Sequence, residues 1–305
     1  MFARNKNKIR QMPSEIAFDF VNITFLSILV LFFLYPFYYT ILVSFNDGMD
    51  ATLPGIYFFV RKFTLENYEK AFSNSGYINA AFISVSRAVI GTFCTIIVSS
   101  SFGYAMSKSE LKFRGFYIIF ATIPMFFGGG MIPSFLLIKQ LGLYNNFLVY
   151  ILPSLFSMYY AIIFMSSFKT LPASLEESAK LDGANQMTIF FRIIIPVSMP
   201  VIAAISIFTA VGHWNSWFDT MLFTEKTNLS TLAYIFAQVS QRADFIKQAS
   251  TQGGDAGVIS ESIRGATTLS VQLAAMIVCT VPIMIIYPFF QKHFVKGVMI
   301  GSVKG

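Results

Sequence analysis

Residues 175–196, LEESAKLDGANQMTIFFRIIIP, form a short charged stretch between two apolar blocks of membrane length. The first half has a helix-forming composition. Gly183 is expected to end that helix, because glycine tolerates the backbone conformations that terminate helices. A second helix is predicted from about Asn185 until Pro196 ends it. No such helix–glycine–helix insert is needed to cross a bilayer, so we regard this insert as a candidate functional element.

Helical geometry gives the first half of the insert two distinct faces. One face carries Leu175, Ser178, Ala179 and Asp182. The opposite face carries the charged residues Glu176, Glu177 and Lys180. Glu176 and Lys180 are one helical turn apart, in the order that favours an ion pair.

The composition predicts a polytopic membrane protein. Of 305 residues, 55% are hydrophobic and 12% are charged, and the mean hydropathy is +0.63. The apolar residues occur in long blocks, which a soluble core does not require. The net charge of +7 is therefore interpreted as charge beside the membrane rather than a nucleic-acid-binding surface.

We predict an all-α fold with six transmembrane helices. The expected domains are a cytoplasmic arm (1–19), a six-helix membrane domain (20–291) with an insert (169–199) and a long external loop (224–268), and a cytoplasmic tail (292–305). The predicted spans are about 20–45, 77–107, 115–139, 147–168, 199–223 and 269–291. The first apolar run exceeds a signal-peptide core, so a retained helix is expected. A weakly amphipathic helix that lies on the surface is predicted within 229–249.

The distribution of Lys and Arg predicts the orientation. These residues are dense in the first arm, in the loop 108–114, in the insert and in the tail, and they are sparse along the longer loops on the other side. Positive charge favours the cytoplasmic side. Both termini and the insert are therefore expected in the cytoplasm.

Two groups of polar residues within the spans are candidates for a transport path. Arg87 either lines that path or reaches the outer interface, since a charge inside a membrane is costly unless it is paired or solvated. Trp214, Asn215, Trp217 and Asp219 near the end of the fifth span suit a sugar, because aromatic faces stack on C–H surfaces and polar groups bind hydroxyls. An aromatic belt or simple packing explains these four residues equally well.

Other features of the sequence indicate less about function. The glycines at 128–130 predict a break or a close backbone approach in the third span, at a substrate site or merely for packing. Cys94 and Cys279 are expected as small apolar residues, and His213 and His293 have no partners at ligand spacing, so no metal site is predicted.

On physical grounds, the insert could act as a lever that transmits the movement of a separate energy-converting partner into the membrane helices. A structural surface helix is the alternative. The spacing of its residues resembles the EAA loop of ABC-importer permeases, E-A-A-x3-G-x9-I-x-L-P. Here the corresponding residues are Glu177-Ser178-Ala179, then Gly183, then Ile193-Ile194-Ile195-Pro196. Ser178 and Ile195 depart from the pattern but keep the size and character of the expected residues.

Further segments resemble the carbohydrate-importer branch of that family. They are Asp182-Gly183-Ala184 and residues 212–217, while residues 287–305 resemble permeases for complex saccharides. The resemblance implies that the insert docks on an ATPase through Glu176, Glu177, Ala179, Asp182, Gly183 and Ala184. It also implies a second permease, an ATPase dimer and an extracytoplasmic sugar-binding protein.

The chain contains no G-x4-G-K-[ST] phosphate-binding loop, so ATP and Mg²⁺ are expected on the partner ATPase and no cofactor is expected here. We expect a non-catalytic subunit that works by alternating access. The alternatives are an importer permease for peptides or amino acids and an ion-coupled transporter. The ion-coupled class would be expected to carry carboxylates within its spans, where Asp219 is a candidate.

Overall fold

The computed structural model describes residues 12–52, 55–72, 76–251, 270–282 and 284. Within these ranges every regular element is a helix, and an isolated antiparallel bridge joins Asn46 and Phe63. Two helices are long and apolar enough to cross a membrane, and the number becomes five if each strongly bent helix pair is one span. The prediction of an all-α polytopic membrane protein is confirmed.

The first helix, α1 (Pro13–Ser44), is apolar and exposed along its length, and none of its most hydrophobic window is buried within the chain. It begins earlier than the predicted start near residue 20. Pro13 suits the first helical position, where a missing N–H costs nothing. The carboxylate of Glu15 accepts a hydrogen bond of 2.8 Å from the backbone N–H of Met12. These two features explain the earlier start.

After the short helix α2 (Glu66–Phe72), the long helix α3 (Gly76–Ser107) occupies the centre of the bundle. It packs most extensively against α6 (Met158–Lys169) and α9 (Met199–Asn215), which are described below. Small residues permit this close packing. A Cβ atom at Gly103 would lie only 2.8 Å from Phe164 Cβ. Phe164 itself is completely buried against α3.

The third predicted span is broken, as its glycines indicated. Helices α4 (Arg114–Phe126) and α5 (Met131–Gln140) meet at 115°, and Gly130 adopts a positive φ of 84° between them. A Cβ atom at Gly128 would contact nothing within 4 Å. The glycines therefore provide a bend rather than a close approach to another part of the described chain.

The fourth predicted span is also a bent pair, since the 3-10 segments within Phe147–Ser154 meet α6 at 50°. The insert forms α7 (Ser174–Leu181) and α8 (Gln186–Val197). Helix α8 meets α9, with which the fifth predicted span begins, at 83°. The prediction that Pro196 ends the second helix of the insert was wrong by a short distance, because α8 continues to Val197 and the bend lies at Ser198.

A π-helical turn explains how α8 passes through Pro196. Residues Phe190–Ile194 form i→i+5 bonds, and the N–H of Ile195 donates to the carbonyl of Phe190. A proline inside a helix removes one hydrogen bond and crowds the preceding turn. The wider turn immediately before Pro196 relieves that crowding.

Three further helices complete the described chain: α10 (Phe218–Phe223), α11 (Leu232–Thr251) and α12 (Ser270–Pro282). The helix predicted within 229–249 is α11, but its first residue is not on the surface. Leu232 is buried, and its N–H donates 2.9 Å to Ser84 Oγ of α3. The apolar helix α12 lies within the sixth predicted span. The predicted tail 292–305 and the rest of the long loop, 252–268, lie outside the described residues.

Candidate functional site

The turn between α7 and α8 is a helix-ending motif formed by Gly183. The N–H of Ala184 donates to the carbonyl of Ala179 at 2.9 Å, and the N–H of Gly183 donates to that of Lys180 at 3.0 Å. Together with the φ of +79° at Gly183, these two bonds form a Schellman cap. Asn185 then caps α8 by accepting 2.8 Å from the N–H of Thr188. The predicted helix–glycine–helix insert is therefore present as a defined elbow.

One side of the elbow packs against the bundle. Ala179 is buried in a cluster with the completely buried Phe164 and Ile189. The other side is open: Leu181 is 90% exposed and Met187 is 67% exposed. Exposed apolar side chains of this size, next to the exposed Glu177, are typical of a protein-binding surface.

The elbow is joined to the end of α3 by polar contacts. Lys108, directly after α3, forms an ion pair with Glu176 in α7. The hydroxyl of Tyr104 donates 3.0 Å to the side chain of Gln186 in α8. The predicted pair of Glu176 with Lys180 is absent, since Lys108 pairs with Glu176 instead. Both halves of the elbow are thus attached to the central helix.

The faces predicted for α7 are only partly correct. Ala179 is buried, but Leu175, Ser178 and Asp182 on its predicted face are exposed. Glu176, which was placed on the opposite face, is half-buried. The bundle contacts α7 along the line of Glu176 and Ala179, which an ideal helical wheel also allows, since these residues are three positions apart.

A second feature is a cavity of about 370 Å³ among α3, the 3-10 segment 147–154, α6, α9 and α10. Its wall combines aromatic rings with hydroxyl, imidazole and charged groups. The lining residues that matter below are Arg87, Tyr150, Tyr160, His213, Ser216 and Asp219.

Arg87 is buried, with 3% of its surface exposed, and it pairs with Asp219 through both terminal nitrogens. One of these nitrogens also donates 3.0 Å to the carbonyl of Ser216. The guanidinium carbon lies 4.6 Å from the ring centroid of Tyr150. The interpretation of Arg87 as a side chain that reaches the outer interface is therefore wrong, and its charge is neutralised within the bundle. Arg87 Nε is buried and has no hydrogen-bond partner among the residues that the structure describes.

The position of Asp219 explains why its carboxylate can pair with Arg87. Asp219 lies in the first turn of α10, directly after residues 216 and 217, where the helix is interrupted between α9 and α10. Its Oδ1 accepts 3.0 Å from Ser216 Oγ and 2.9 Å from the N–H of Thr220. A carboxylate at a helix N-terminus is favoured by the helix dipole. The pair with Arg87 therefore fixes the α9–α10 break against α3.

The other residues predicted for sugar binding do not line this cavity. Trp214 is buried elsewhere, with Ala80 and Leu232, and its Nε1 donates 2.9 Å to the carbonyl of Cys279 in α12. Asn215 is exposed at the end of α9, and the half-buried Trp217 stacks edge-on with Phe218. Of the five predicted residues, the structure brings Arg87 and Asp219 together in the cavity wall.

Sequence reasoning missed several residues of the cavity. Tyr150, Ser154 and Ser157 all line it and recur at helical spacing within an apolar block, which was a usable signal. His213 was considered as a metal ligand and as a member of the segment 212–217, but it was not predicted as a residue of the site. Its buried ring lies against Gly91 of α3, where a Cβ atom would come within 2.5 Å of Nε2. That contact joins two distant segments, and no local pattern predicts it.

The bent helices, the elbow joined to the central helix and the polar cavity define a helical membrane component of a transport system. A family profile described as "binding-protein-dependent transport system inner membrane component" matches residues 95–300. The chain belongs to this family, which confirms the expected membership among importer permeases.

Two curated relatives from Bacillus subtilis strain 168 support this membership over almost the whole chain. The polygalacturonan/rhamnogalacturonan transport system permease protein YtcP is 36% identical over 94% of this chain and 98% of its own length. Protein LplC is 34% identical over 94% of this chain and 95% of its own length. The fold is similar to a chain in a crystal structure of a bacterial ABC transporter that imports the acidic polysaccharide alginate. The TM-score is 0.75 and the identity is 24%, with coverage of 93% and 99%.

Proposed function

We propose that this chain is the permease subunit of an ATP-driven importer for a saccharide, delivered by an extracytoplasmic binding protein. The observation that carries the proposal is the elbow, whose exposed face presents Glu177, Leu181 and Met187 while its inner face is attached to α3. A surface helix without a partner would gain nothing from exposing these apolar side chains. An ATPase subunit with a complementary groove is the partner that this proposal requires.

The proposed assembly contains a second, homologous permease and a dimer of ATPase subunits. The elbow and both termini would lie in the cytoplasm of a bacterial cell, where ATP is available. ATP and Mg²⁺ would be bound by the ATPase subunits, since this chain has no phosphate-binding loop. The long chain segment between α10 and α12 would face the binding protein. The chain itself would be non-catalytic.

The proposed mechanism is alternating access, driven through α3. Closure of the ATPases would push the elbow, and the contacts of Lys108 with Glu176 and of Tyr104 with Gln186 would pass this movement to α3. Arg87 lies on the same helix, about 25 Å from Tyr104 along the helix axis at a rise of ~1.5 Å per residue. A movement of α3 would therefore also displace the wall of the cavity.

A saccharide is favoured over other solutes by two independent observations. Relatives include a permease whose name specifies polygalacturonan/rhamnogalacturonan transport and others named for lactose and for arabinooligosaccharides. The cavity also combines the aromatic rings of Tyr150 and Tyr160 with polar groups on His213 and Ser216, a combination that suits hydroxyl-rich rings. The ion-coupled alternative is less well supported, because Arg87 already neutralises Asp219.

Purification of the native complex tests this proposal. We expect a second permease, an ATPase and a binding protein to co-purify with this chain, and saccharides to stimulate ATP hydrolysis in the presence of the binding protein. Stimulation by peptides or amino acids instead would overturn the substrate class. Uptake into vesicles that lack ATP but carry an ion gradient would overturn the proposed energy source.

A further inference from the structure

Three consecutive aromatic side chains project from the segment between α1 and α2. Tyr57, Phe58 and Phe59 are 57%, 62% and 82% exposed, and we refer to residues 57–59 as the aromatic finger. The preceding residue, Ile56, is buried against Leu42 and Val43 near the end of α1. The finger is therefore attached to the protein at its base, while its rings remain largely exposed, with the Phe58 ring centroid 6.3 Å from that of Tyr35 in α1.

A buried polar scaffold holds the base of the finger in one conformation. Asn46 is completely buried, and its Oδ1 accepts from the N–H groups of Arg61 and Lys62 at 3.0 and 2.9 Å. Its Nδ2 donates 2.9 Å to Asp50, which also pairs with the guanidinium of Arg61 at 3.0 Å. The hydrogen bond from Asn46, together with Arg61, lowers the pKa of Asp50, so this carboxylate stays ionised at neutral pH.

The finger lies beside the membrane helix rather than beyond its end. The hydroxyl of Tyr38 donates 2.6 Å to the carbonyl of Phe58, and that of Tyr35 donates 3.4 Å to the carbonyl of Tyr57. At a rise of ~1.5 Å per residue, these tyrosines lie about 9 and 14 Å before the end of α1 at Ser44. The finger therefore turns back along α1 to the level of its tyrosines.

The part of α1 beside the finger has the amino-acid composition of a membrane interface. The α1 sequence changes from a run of aliphatic and Phe residues to YPFYY at residues 35–39, whose tyrosines are typical of the aromatic belt between headgroups and acyl chains. Lys62 follows the finger and is exposed, so its ammonium can reach anionic headgroups while the rings lie deeper. Rings at the acyl boundary with a basic residue next to them are the pattern of an interfacial anchor.

We propose that the aromatic finger inserts into the lipid leaflet at the C-terminal end of α1, with its rings at the boundary between acyl chains and headgroups. In the orientation proposed above, this is the outer leaflet. The finger and the tyrosines of α1 together anchor this end of the helix at a fixed depth. This inference does not depend on the transported solute or on the ATPase.

A fluorescent label at position 59 tests the insertion. Cys94→Ala and Cys279→Ala first remove the native thiols, and Phe59→Cys and Glu69→Cys are then prepared separately. Glu69 is the matched control, because it is exposed on α2 in the same segment of the chain. Each variant is labelled with an environment-sensitive fluorophore. The complete complex is then reconstituted in vesicles of phosphatidylethanolamine and phosphatidylglycerol.

We expect lipids that carry a nitroxide near the glycerol end of an acyl chain to quench the label at position 59. Aqueous iodide should leave that label almost unaffected, whereas the label at position 69 should respond in the opposite way. Tyr38→Phe, which removes a hydrogen bond to the finger, should weaken the lipid quenching. Quenching of label 59 by iodide would overturn the proposal, and so would protection from both quenchers, which would indicate a protein partner instead.

Discussion

Lys108 at the end of α3 pairs with Glu176 in α7, and its ammonium also lies 4.3 Å from the ring centroid of Tyr104. The contact joins the elbow to the helix that forms one wall of the cavity. Both side chains are partly shielded, at 31% and 17% exposure. We expect the Lys108–Glu176 ion pair to matter more for transmitting movement than for stability. Partly exposed ion pairs contribute little to the free energy of unfolding, typically below ~1 kcal/mol.

Reversal of the charges in this pair should reveal that role. Lys108→Glu or Glu176→Lys alone should place like charges together and lower ATP-driven uptake several-fold, whereas the double exchange should restore much of it. Lys112→Glu, an exposed change in the same loop, is the control and should have little effect. Equal uptake by the two single variants and the control would contradict the coupling role of this contact.

The φ of +79° at Gly183 predicts a conformational cost for any side chain there. Gly183→Ala should destabilise the protein by about 1–2 kcal/mol, because the left-handed backbone alone imposes the cost. Among the described residues, none apart from the chain neighbours of Gly183 lies within 4 Å of the added Cβ. Thermal unfolding of the purified complex measures the change.

Gly115 provides the matched control for that substitution. It lies in the first turn of α4, and a Cβ atom there also meets open space, but its φ is not positive. Gly115→Ala should be neutral or stabilise by up to about 1 kcal/mol. If both alanine variants have the same unfolding temperature, the proposed cap at Gly183 is wrong.

The sequence was sufficient for the features that depend on local chemistry. The apolar blocks predicted an all-α membrane protein, the triple glycine predicted the bend between α4 and α5, and Gly183 predicted the elbow. It was not sufficient where distant segments meet. Whether Arg87 reached an interface or a partner depended on Asp219, which lies far along the chain. Trp214 likewise resembled a sugar-binding residue until its packing against α12 was known.

Removal of one partner from the pair formed by the buried Arg87 and the partly buried Asp219 should be costly. Asp219→Asn keeps an acceptor for Ser216 and Thr220 but leaves the arginine charge unpaired, and we expect a loss of about 3–5 kcal/mol. Arg87→Met should cost a similar amount. The double variant should lose less than the sum of the two.

Thermal unfolding of the four proteins in this cycle gives the coupling energy directly. Lys139→Met, an exposed change at the end of α5, is the control and should alter stability by less than about 0.5 kcal/mol. Additive losses in the double variant would show that Arg87 and Asp219 do not stabilise each other.

The close contact between Gly91 and His213 predicts a clash that a second substitution relieves. Gly91→Ala should cost about 1–3 kcal/mol, because the new methyl group overlaps a buried ring in a tightly packed interface. In a His213→Ala background the same change should cost much less. Unfolding temperatures of the single and double variants measure this. An identical cost in both backgrounds would show that α3 and α9 do not pack as described.

The central claim is that the exposed face of the elbow binds the ATPase, and a charge reversal at Glu177 tests it most directly. Glu177→Lys is compared with Glu110→Lys, the same change at an exposed site in the neighbouring loop. The measurement is the amount of ATPase that co-purifies with equal amounts of membrane-inserted permease, together with saccharide uptake. We predict that Glu177→Lys loses most of the ATPase and the uptake, while Glu110→Lys keeps both. Full ATPase recovery and normal uptake with Glu177→Lys would contradict the account.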